Sequence, residues 1–260
     1  MGQAGMNSRL LEEFEPRRQH AWNKLEWSIP AEDRHGRFLD IGCGCGSGLV
    51  AALQHGFESA TGIDRSFKEF HWFDICEFDA VCNAYGVSAA RATLIEGDAF
   101  AVTLQPHAYQ CVLLLDSIEH VPNPRRFIDI AARCAAPGGY LFIDTAPLYY
   151  SKVGHHLWSE FPPETLPWAH LRRDWPQLRQ DPRISAWSSE RFDELNKVTH
   201  DQIRNAVLGA GLKIVGEHRD EPLPADVELL ERHRADLDLE GIDSGLLFET
   251  WVLLVAKRPP

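Results

Sequence analysis

The sequence predicts an α/β fold built on a doubly wound, mostly parallel sheet. Short apolar runs alternate with segments of helical periodicity along most of the chain, which is the pattern of repeated βα units. The first apolar run, residues 38–41, passes directly into a glycine-rich loop and then a helix. Acidic residues end or follow the later runs, at Asp64, Asp98 and Asp116. Because the carboxyl ends of parallel strands share one edge of a sheet, these features predict a ligand-binding cleft at that edge.

Composition limits the classes of partner. With 260 residues, of which 44% are hydrophobic, the chain is long enough for one well-buried domain, which we place over residues 1–260. The formal net charge is −12 and the basic residues are scattered, whereas a phosphate backbone requires a concentrated positive face, so we expect no nucleic-acid partner. No apolar run approaches the length of a membrane span, and residues 1–30 lack a signal-peptide core. We therefore expect a cytoplasmic protein without membrane association.

The six cysteines do not have the pattern of a disulfide framework. Cys43 and Cys45 lie between the loop glycines, and no second cysteine pair stands at metal-ligand spacing. We predict reduced thiols and no metal site.

The loop itself is the most informative stretch. It carries four glycines at alternate positions, Gly42, Gly44, Gly46 and Gly48. Glycine has no Cβ, so it adopts positive φ and lets backbone N–H groups approach a ligand closely. The helix predicted at residues 48–55 directs its positive end into the same space. This arrangement predicts a nucleotide-like cofactor.

Two cofactors are compatible with such a loop. Residues 46–51 satisfy the dinucleotide fingerprint G-x-G-x-x-G/A, and Asp64 follows at a suitable distance for a ribose contact. However, that fingerprint normally begins immediately after the strand, whereas residues 40–45 intervene here. An NAD(P)-dependent oxidoreductase is thus the alternative to the interpretation given below.

The remaining elements follow from periodicity, capping and chain breaks. An amphipathic helix near residues 8–27 forms an N-terminal helical cap, residues 1–36. After the strand at 59–64 we predict one long helix that carries Phe67, Phe70 and Phe78 on one face and ends at Gly86. The other predicted elements are strands at 92–96, 109–115, 140–144, 212–217 and 248–256, with helices at 124–134 and from the Thr199 capping box to Gly209.

Three motifs resemble those of class I S-adenosylmethionine-dependent methyltransferases. They are the loop Asp40-x-Gly-x-Gly-x-Gly46, the segment Asp116-Ser-Ile-Glu-His-Val-Pro-Asn-Pro124, and Pro137-Gly-Gly139 before the fifth strand. The second of these is similar to the ubiquinone-biosynthesis-like branch, which acts on small molecules. The resemblance implies a Rossmann-like seven-stranded sheet in the order 3-2-1-4-5-7-6, with the last strand antiparallel.

The resemblance also implies how S-adenosylmethionine would be bound. Asp64 is expected to accept hydrogen bonds from both ribose hydroxyls, since a carboxylate makes that two-point contact best. Asp98 and the N–H group of Ala99 are expected at the adenine, and Asp116 at the methionyl part of the cofactor. Further cofactor contacts are expected at Asp40, Gly42, Cys43, Gly44, Gly46 and Arg65.

Two segments lie outside this βα scheme. Residues 219–245 are acidic, and we predict a solvated excursion. Residues 147–195 form an aromatic-rich insertion after the fifth strand, with four of the eight tryptophans and three of the histidines. Because it leaves the carboxyl end of that strand, we expect it to cover the methyl acceptor. Candidate general bases are His155 or His156, then His170, then His120; each is otherwise an ordinary hydrogen-bonded histidine.

Together these features predict an S-adenosylmethionine-dependent methyltransferase that moves a methyl group to an O or N atom of a small metabolite. Besides the oxidoreductase, a non-catalytic S-adenosylmethionine-binding protein remains an alternative. The sequence leaves open whether the chain forms a homodimer.

Overall fold

The computed structural model describes residues 8–69, 72–158 and 160–260. Within these residues a seven-stranded sheet has the order β3-β2-β1-β4-β5-β7-β6. The strands are β1 (Arg37–Ile41), β2 (Ser59–Asp64), β3 (Ala92–Glu96), β4 (Tyr109–Leu115), β5 (Ala135–Thr145), β6 (Lys213–Arg219) and β7 (Val252–Lys257). Strands β1 to β5 pair in parallel, and β7 is antiparallel to both β5 and β6. The predicted strand order and the direction of the last strand are confirmed.

Helices cover both faces of the sheet. They are α1 (Ser8–Ser28), α2 (Ser47–Gln54), α3 (Phe78–Ala84), α4 (Pro124–Cys134), α5 (Trp175–Leu178), α6 (Ala186–Glu194), α7 (His200–Gly209) and α8 (Pro224–His233). One core packs α1, α2 and α3 on the sheet through residues such as Phe14, Leu49 and Phe78. The other packs α4 and α7 through Ile128 and Ile203. Because both faces are covered, the central strand β4 is an almost continuous buried apolar run.

The segment after β2 differs from the prediction. Instead of one long helix, it forms 3₁₀ turns at Phe67–Glu69 and Ile75–Glu77, followed by the short helix α3. The Asp74 side chain accepts a hydrogen bond from the Cys76 N–H and starts a new turn there, which divides the segment. Phe70, which was assigned to the apolar face, lies outside the described residues.

The acidic segment, residues 219–245, is not simply a solvated excursion. Its Leu230 and Leu237 are buried together with Trp168 and Leu171 of the insertion, residues 147–195. The two segments that lie outside the βα scheme therefore share a small core of their own. The last strand begins at Val252 rather than at residue 248, because a 3₁₀ turn capped by Asp243 occupies residues 244–248.

No helix among the described residues is both long enough and apolar enough to cross a membrane.

Candidate active site

The glycine loop turns sharply at the carboxyl ends of β1 and β2. The N–H groups of Gly42 and Cys43 donate to the Ile63 carbonyl at 2.8 and 3.1 Å. Gly42, Gly44 and Gly46 have φ values of +86°, +54° and +79°, which side-chain-bearing residues rarely adopt. A Cβ on Gly42 would lie 2.5 Å from the Ser117 Cβ, just beyond β4. The loop therefore passes through a space that only backbone fits, between β2 and the segment after β4.

Asp40 supports this loop from beneath. A Cβ on Gly48 would lie 2.3 Å from its Oδ2 atom, so the first turn of α2 packs directly on the carboxyl group. Asp40 is buried, and its Oδ1 atom has no hydrogen-bond partner among the described residues. Burial, reinforced by the charge of Asp64, raises the pKa of Asp40 to about 8. The Asp40 side chain therefore lies in the protein interior, against the start of α2, and not on the solvent-exposed surface of the loop.

Asp64 ends β2 beside the loop. Its Oδ2 atom accepts a hydrogen bond from the Gly44 N–H at 2.8 Å, and its Oδ1 atom accepts one from the Ser66 N–H at 3.2 Å. The side chain is only partly buried. The structure thus brings together the loop backbone and the carboxylate that the sequence predicted for the ribose.

Asp98 and Ala99 follow the neighbouring strand β3. The Gly97 N–H donates to the Asp64 carbonyl at 2.8 Å, which sets this turn next to the end of β2. Asp98 is exposed, and its Oδ1 atom accepts a hydrogen bond from the Phe100 N–H at 2.8 Å. The predicted adenine-side residues therefore lie at the same sheet edge as Asp64, in a tight Asx turn.

Asp116 stands at the end of β4 in an unusual conformation. Its φ is +45°, in the left-handed region, and its N–H donates to the Asp144 carbonyl at 2.9 Å. Such strain in a non-glycine residue is concentrated at functional sites. Partial desolvation raises the pKa of Asp116 to about 6, and the charge of Asp144 adds to the effect. The pKa of Asp116 therefore lies just below neutral pH, whereas that of Asp40 lies above it.

Helix α1 contributes two side chains that the sequence interpretation did not select. His20 places Nε2 3.8 Å from the Asp116 Oδ2 atom, and Lys24 places Nζ 2.7 Å from the Asp144 Oδ2 atom. The Trp251 indole N–H donates to the Asp144 Oδ1 atom at 3.0 Å, and its ring lies 4.2 Å from the Lys24 ammonium. The four-residue spacing of His20 and Lys24 puts both on one helix face, but nothing in the sequence shows which strand ends that face meets.

Glu119 is a further side chain at this site that the sequence interpretation did not select. It is buried and accepts a short hydrogen bond from the Thr145 hydroxyl. Burial raises the pKa of Glu119 to about 8, with a further contribution from Asp116. At neutral pH the Glu119 carboxyl is thus mainly protonated, which links the ends of β4 and β5 without a buried charge.

Two of the four candidate histidines, both in residues 147–195, are buried. His155 is fully buried, and its Nδ1 atom accepts a hydrogen bond from the Leu157 N–H at 3.0 Å. His170 donates from Nε2 to the Tyr149 carbonyl at 2.5 Å. Burial lowers the pKa of His155 to about 4 and that of His170 to about 3, and neighbouring histidines lower both further. Both rings are therefore neutral and held by backbone groups.

The other two candidates join the insertion to the sheet. The rings of His120 and His156 are 5.3 Å apart, edge to face. His156 donates from Nε2 to the Pro147 carbonyl at 3.0 Å, and has a positive φ of 57°. Burial, followed by the effect of His156, lowers the pKa of His120 to about 4. Within the described residues no group of three or more histidine, cysteine, aspartate or glutamate side chains is arranged to hold a metal ion.

The insertion is tied to the site at its far end. Asn196 donates from its side chain to the carbonyls of Ile118 and Val121 at 2.7 and 2.8 Å. Arg65, the residue after Asp64, pairs with Glu194 at 3.1 Å. The chain that leaves the end of β5 therefore returns past the ends of β4 and β2.

Residues 11–216 match the model of a family described as a methyltransferase domain. The chain belongs to this methyltransferase family. The predicted family, and with it S-adenosylmethionine as the cofactor of the domain, is confirmed, and the dinucleotide interpretation of residues 46–51 is set aside.

Curated relatives of this methyltransferase are ubiquinone biosynthesis O-methyltransferases. That of Vibrio cholerae is 29% identical over 137 residues, which cover 51% of this chain and 52% of the relative. That of Nitrosospira multiformis is 30% identical over 118 residues, or 44% of this chain and 46% of the relative. The chain thus spans about half the length of the curated relatives it matches.

Solved structures show the same fold. Phosphoethanolamine N-methyltransferase 2 of Haemonchus contortus, in complex with S-adenosyl-L-methionine, aligns with a TM-score of 0.56 at 18% identity, covering 93% of this methyltransferase and 53% of that chain. A putative sarcosine dimethylglycine methyltransferase from Galdieria sulphuraria aligns with a TM-score of 0.56 at 14% identity, covering 94% and 86%. At these identities the likeness concerns the fold alone.

Proposed function

We propose that this protein transfers the methyl group of S-adenosylmethionine to an O or N atom of a small metabolite. The observation that carries the proposal is the hydrogen bond from the Gly44 N–H to the Asp64 carboxylate at the carboxyl edge of the sheet, where the Arg65–Glu194 ion pair also anchors the end of the insertion. The relatives named ubiquinone biosynthesis O-methyltransferases support a small-molecule acceptor.

The chain offers a fitting cradle for the cofactor. Gly42, Gly44 and Gly46 have positive φ, Cβ atoms on Gly42 and Gly46 would collide with Ser117 and Phe78, and Asp64 is partly exposed beside this close-packed loop. In this proposal Asp64 holds the ribose, Asp98 and Ala99 hold the adenine, and Asp116 faces the methionyl part. Cys43, which is buried, contributes its backbone to the loop, and Arg65 closes the side of Asp64. Asp40 acts from behind, by fixing the start of α2.

S-adenosylmethionine supplies an already activated methyl group, so the protein must chiefly orient the acceptor and exclude water. Residues 147–195 perform both tasks in this proposal, since they leave the end of β5 and return to the ends of β4 and β2. His155 and His170 keep the insertion rigid through their backbone hydrogen bonds. His120 and His156, which connect the insertion to the sheet, line the acceptor side.

The test is transfer of label from methyl-tritiated S-adenosylmethionine to a defined panel of small phenols, amines and carboxylic acids. We expect one class to become labelled, with S-adenosylhomocysteine formed in equal amount, and strongly reduced labelling with the Asp64→Asn variant at the same cofactor concentration. Label that enters only added RNA, DNA or protein would contradict a small-molecule acceptor.

A further inference from the structure

Helix α1 brings a histidine to the strained carboxylate at the end of β4. The Nε2 atom of His20 lies 3.8 Å from the Asp116 Oδ2 atom. Both side chains remain accessible, with 46% of His20 and 49% of Asp116 exposed, whereas His155 and His170 are buried. Of these histidines, His20 combines an accessible ring with a carboxylate partner at the edge of the sheet where the cofactor loop ends.

Contacts of Lys24 and Asp116 with Asp144 fix the part of helix α1 that carries His20. Lys24, one helical turn further along α1, is paired with Asp144 at 2.7 Å, and Asp144 also accepts the Trp251 indole N–H at 3.0 Å. The Asp116 N–H in turn donates to the Asp144 carbonyl at 2.9 Å. Helix α1 and the end of β4 are thus both fixed to Asp144, which sets the separation of His20 from Asp116.

We propose that His20, with Asp116 beside it, is the proton acceptor of methyl transfer, and that the acceptor compound carries a hydroxyl group. This inference rests on the function proposed above and narrows its substrate class. A hydroxyl oxygen must lose its proton as the new bond forms, whereas a carboxylate has none to lose and an amine can lose its own to water beforehand. A histidine beside a carboxylate is the arrangement that serves such an acceptor.

The hydroxyl oxygen forms a bond to the methyl carbon, and the bond between sulfur and that carbon breaks with its electron pair returning to sulfur. The hydroxyl proton passes to Nε2 of His20. The resulting imidazolium lies beside Asp116, whose charge stabilises it. The products are a methyl ether and S-adenosylhomocysteine, and His20 returns its proton to solvent.

The environment of His20 keeps its ring unprotonated, as a general base requires. Burial lowers the pKa of His20 below its ordinary value, Lys24 lowers it further and Asp144 opposes the change. Asp116 is the third charged group beside the ring, and because the pKa of His20 is lowered, the ring is neutral at neutral pH and able to accept a proton.

The test compares two ligands that differ by one charge at the reacting centre. We would follow the histidine ring signals of the full chain by NMR from pH 4 to pH 9, with saturating S-adenosylhomocysteine and with S-adenosylmethionine. His20 is assigned from the signal lost in His20→Asn. The control is His107→Asn, since His107 is exposed before β4, at the opposite edge of the sheet.

We expect the pKa of His20 to be about half a unit lower with S-adenosylmethionine, because the sulfonium charge opposes protonation of a nearby ring. The ring signals of His107 should be the same with both ligands. If both ligands bind and His20 also titrates identically, His20 does not lie by the methyl group and the inference is overturned. If calorimetry shows that neither ligand binds, the proposed function fails as well, so the two failures are distinguishable.

The acceptor class is tested on the same variants with labelled S-adenosylmethionine. We expect a phenol to be methylated by the wild type and by His107→Asn, and at least about 100-fold more slowly by His20→Asn. Methylation of an amine or a carboxylic acid at an unchanged rate in His20→Asn would overturn the assignment.

Discussion

Arg65 and Glu194 form an ion pair in which the Arg65 Nη2 atom lies 3.1 Å from both carboxylate oxygens of Glu194. Arg65 directly follows the predicted ribose carboxylate, and Glu194 is the last residue of α6 in the insertion. The pair therefore connects the cofactor edge of the sheet to the segment that we propose covers the acceptor.

We predict that Glu194→Gln weakens binding of S-adenosylhomocysteine severalfold while it changes the free energy of unfolding by less than about 1 kcal/mol. Exposed ion pairs contribute little stability, but this one orders Arg65 beside the cofactor. Calorimetric titration and urea unfolding measure the two effects. The control is Glu190→Gln, an exposed position in α6. Unchanged affinity for S-adenosylhomocysteine in Glu194→Gln would show that the Arg65–Glu194 ion pair does not support cofactor binding.

The contact between Gly48 and Asp40 predicts a second effect. Gly48→Ala would put a Cβ 2.3 Å from the Asp40 Oδ2 atom, so either α2 or the carboxyl group must move. We expect a loss of about 1–3 kcal/mol in unfolding free energy and weaker cofactor binding. The matched change is Gly209→Ala at the end of α7, where a Cβ meets nothing within 4 Å. It should be neutral or stabilising. Equal stability of the two variants would contradict the packing described for α2.

Asp64→Asn should reduce the affinity for S-adenosylhomocysteine by roughly 10- to 100-fold, since a charged hydrogen-bond acceptor becomes a neutral one. The fold should be retained, because Asp64 is partly exposed and an amide oxygen can still accept from the Gly44 N–H. Calorimetry gives the affinity, and circular dichroism checks the fold. Asp79→Asn, on the exposed side of α3, serves as the control and should bind as the wild type does. Wild-type affinity in Asp64→Asn would exclude Asp64 from the cofactor site.

Glu119 predicts a specific pH dependence of stability. In the unfolded chain its carboxyl ionises near pH 4–5, whereas the folded protein retains the proton up to the raised pKa of about 8. The folded state therefore loses stability from this group as the pH rises between those values, by up to about 1.4 kcal/mol per pH unit. Glu119→Gln preserves an oxygen for the Thr145 hydroxyl but cannot ionise.

We accordingly expect stability to fall less steeply from pH 5 to pH 8 in Glu119→Gln than in the wild type, as measured by urea unfolding at several pH values. Glu228→Gln, at an exposed position of α8, should have the slope of the wild type. Parallel curves for Glu119→Gln and the wild type would mean that Glu119 ionises normally in the folded protein.

Local patterns predicted most of the strands, and the family resemblance supplied their order, which the structure confirms. The β4 run is apolar throughout because both of its faces are covered, and the Thr199 capping box marks the start of α7 as predicted. The glycine loop could be predicted because its backbone conformation requires positive φ at three positions that are glycine in the sequence. The break after β2 was missed, since it depends on one Asp74 hydrogen bond within a segment of helical periodicity.

Contacts between distant parts of the chain could not be predicted. His20 and Lys24 gain their significance from Asp116 and Asp144, roughly a hundred residues away, and periodicity gives no information on such pairing. For the same reason the burial of Glu119 could not be anticipated. The four histidines selected from their positions in the sequence are all in the described structure, but only packing shows that His155 and His170 are enclosed.

The central claim is that the glycine loop and Asp64 together bind S-adenosylmethionine. A crystal structure of the protein with S-adenosylhomocysteine tests it most directly. We predict that both ribose hydroxyls donate hydrogen bonds to the Asp64 carboxylate and that the ligand lies along residues 42–46. A ligand bound elsewhere, or at the loop but without contact to Asp64, would contradict it.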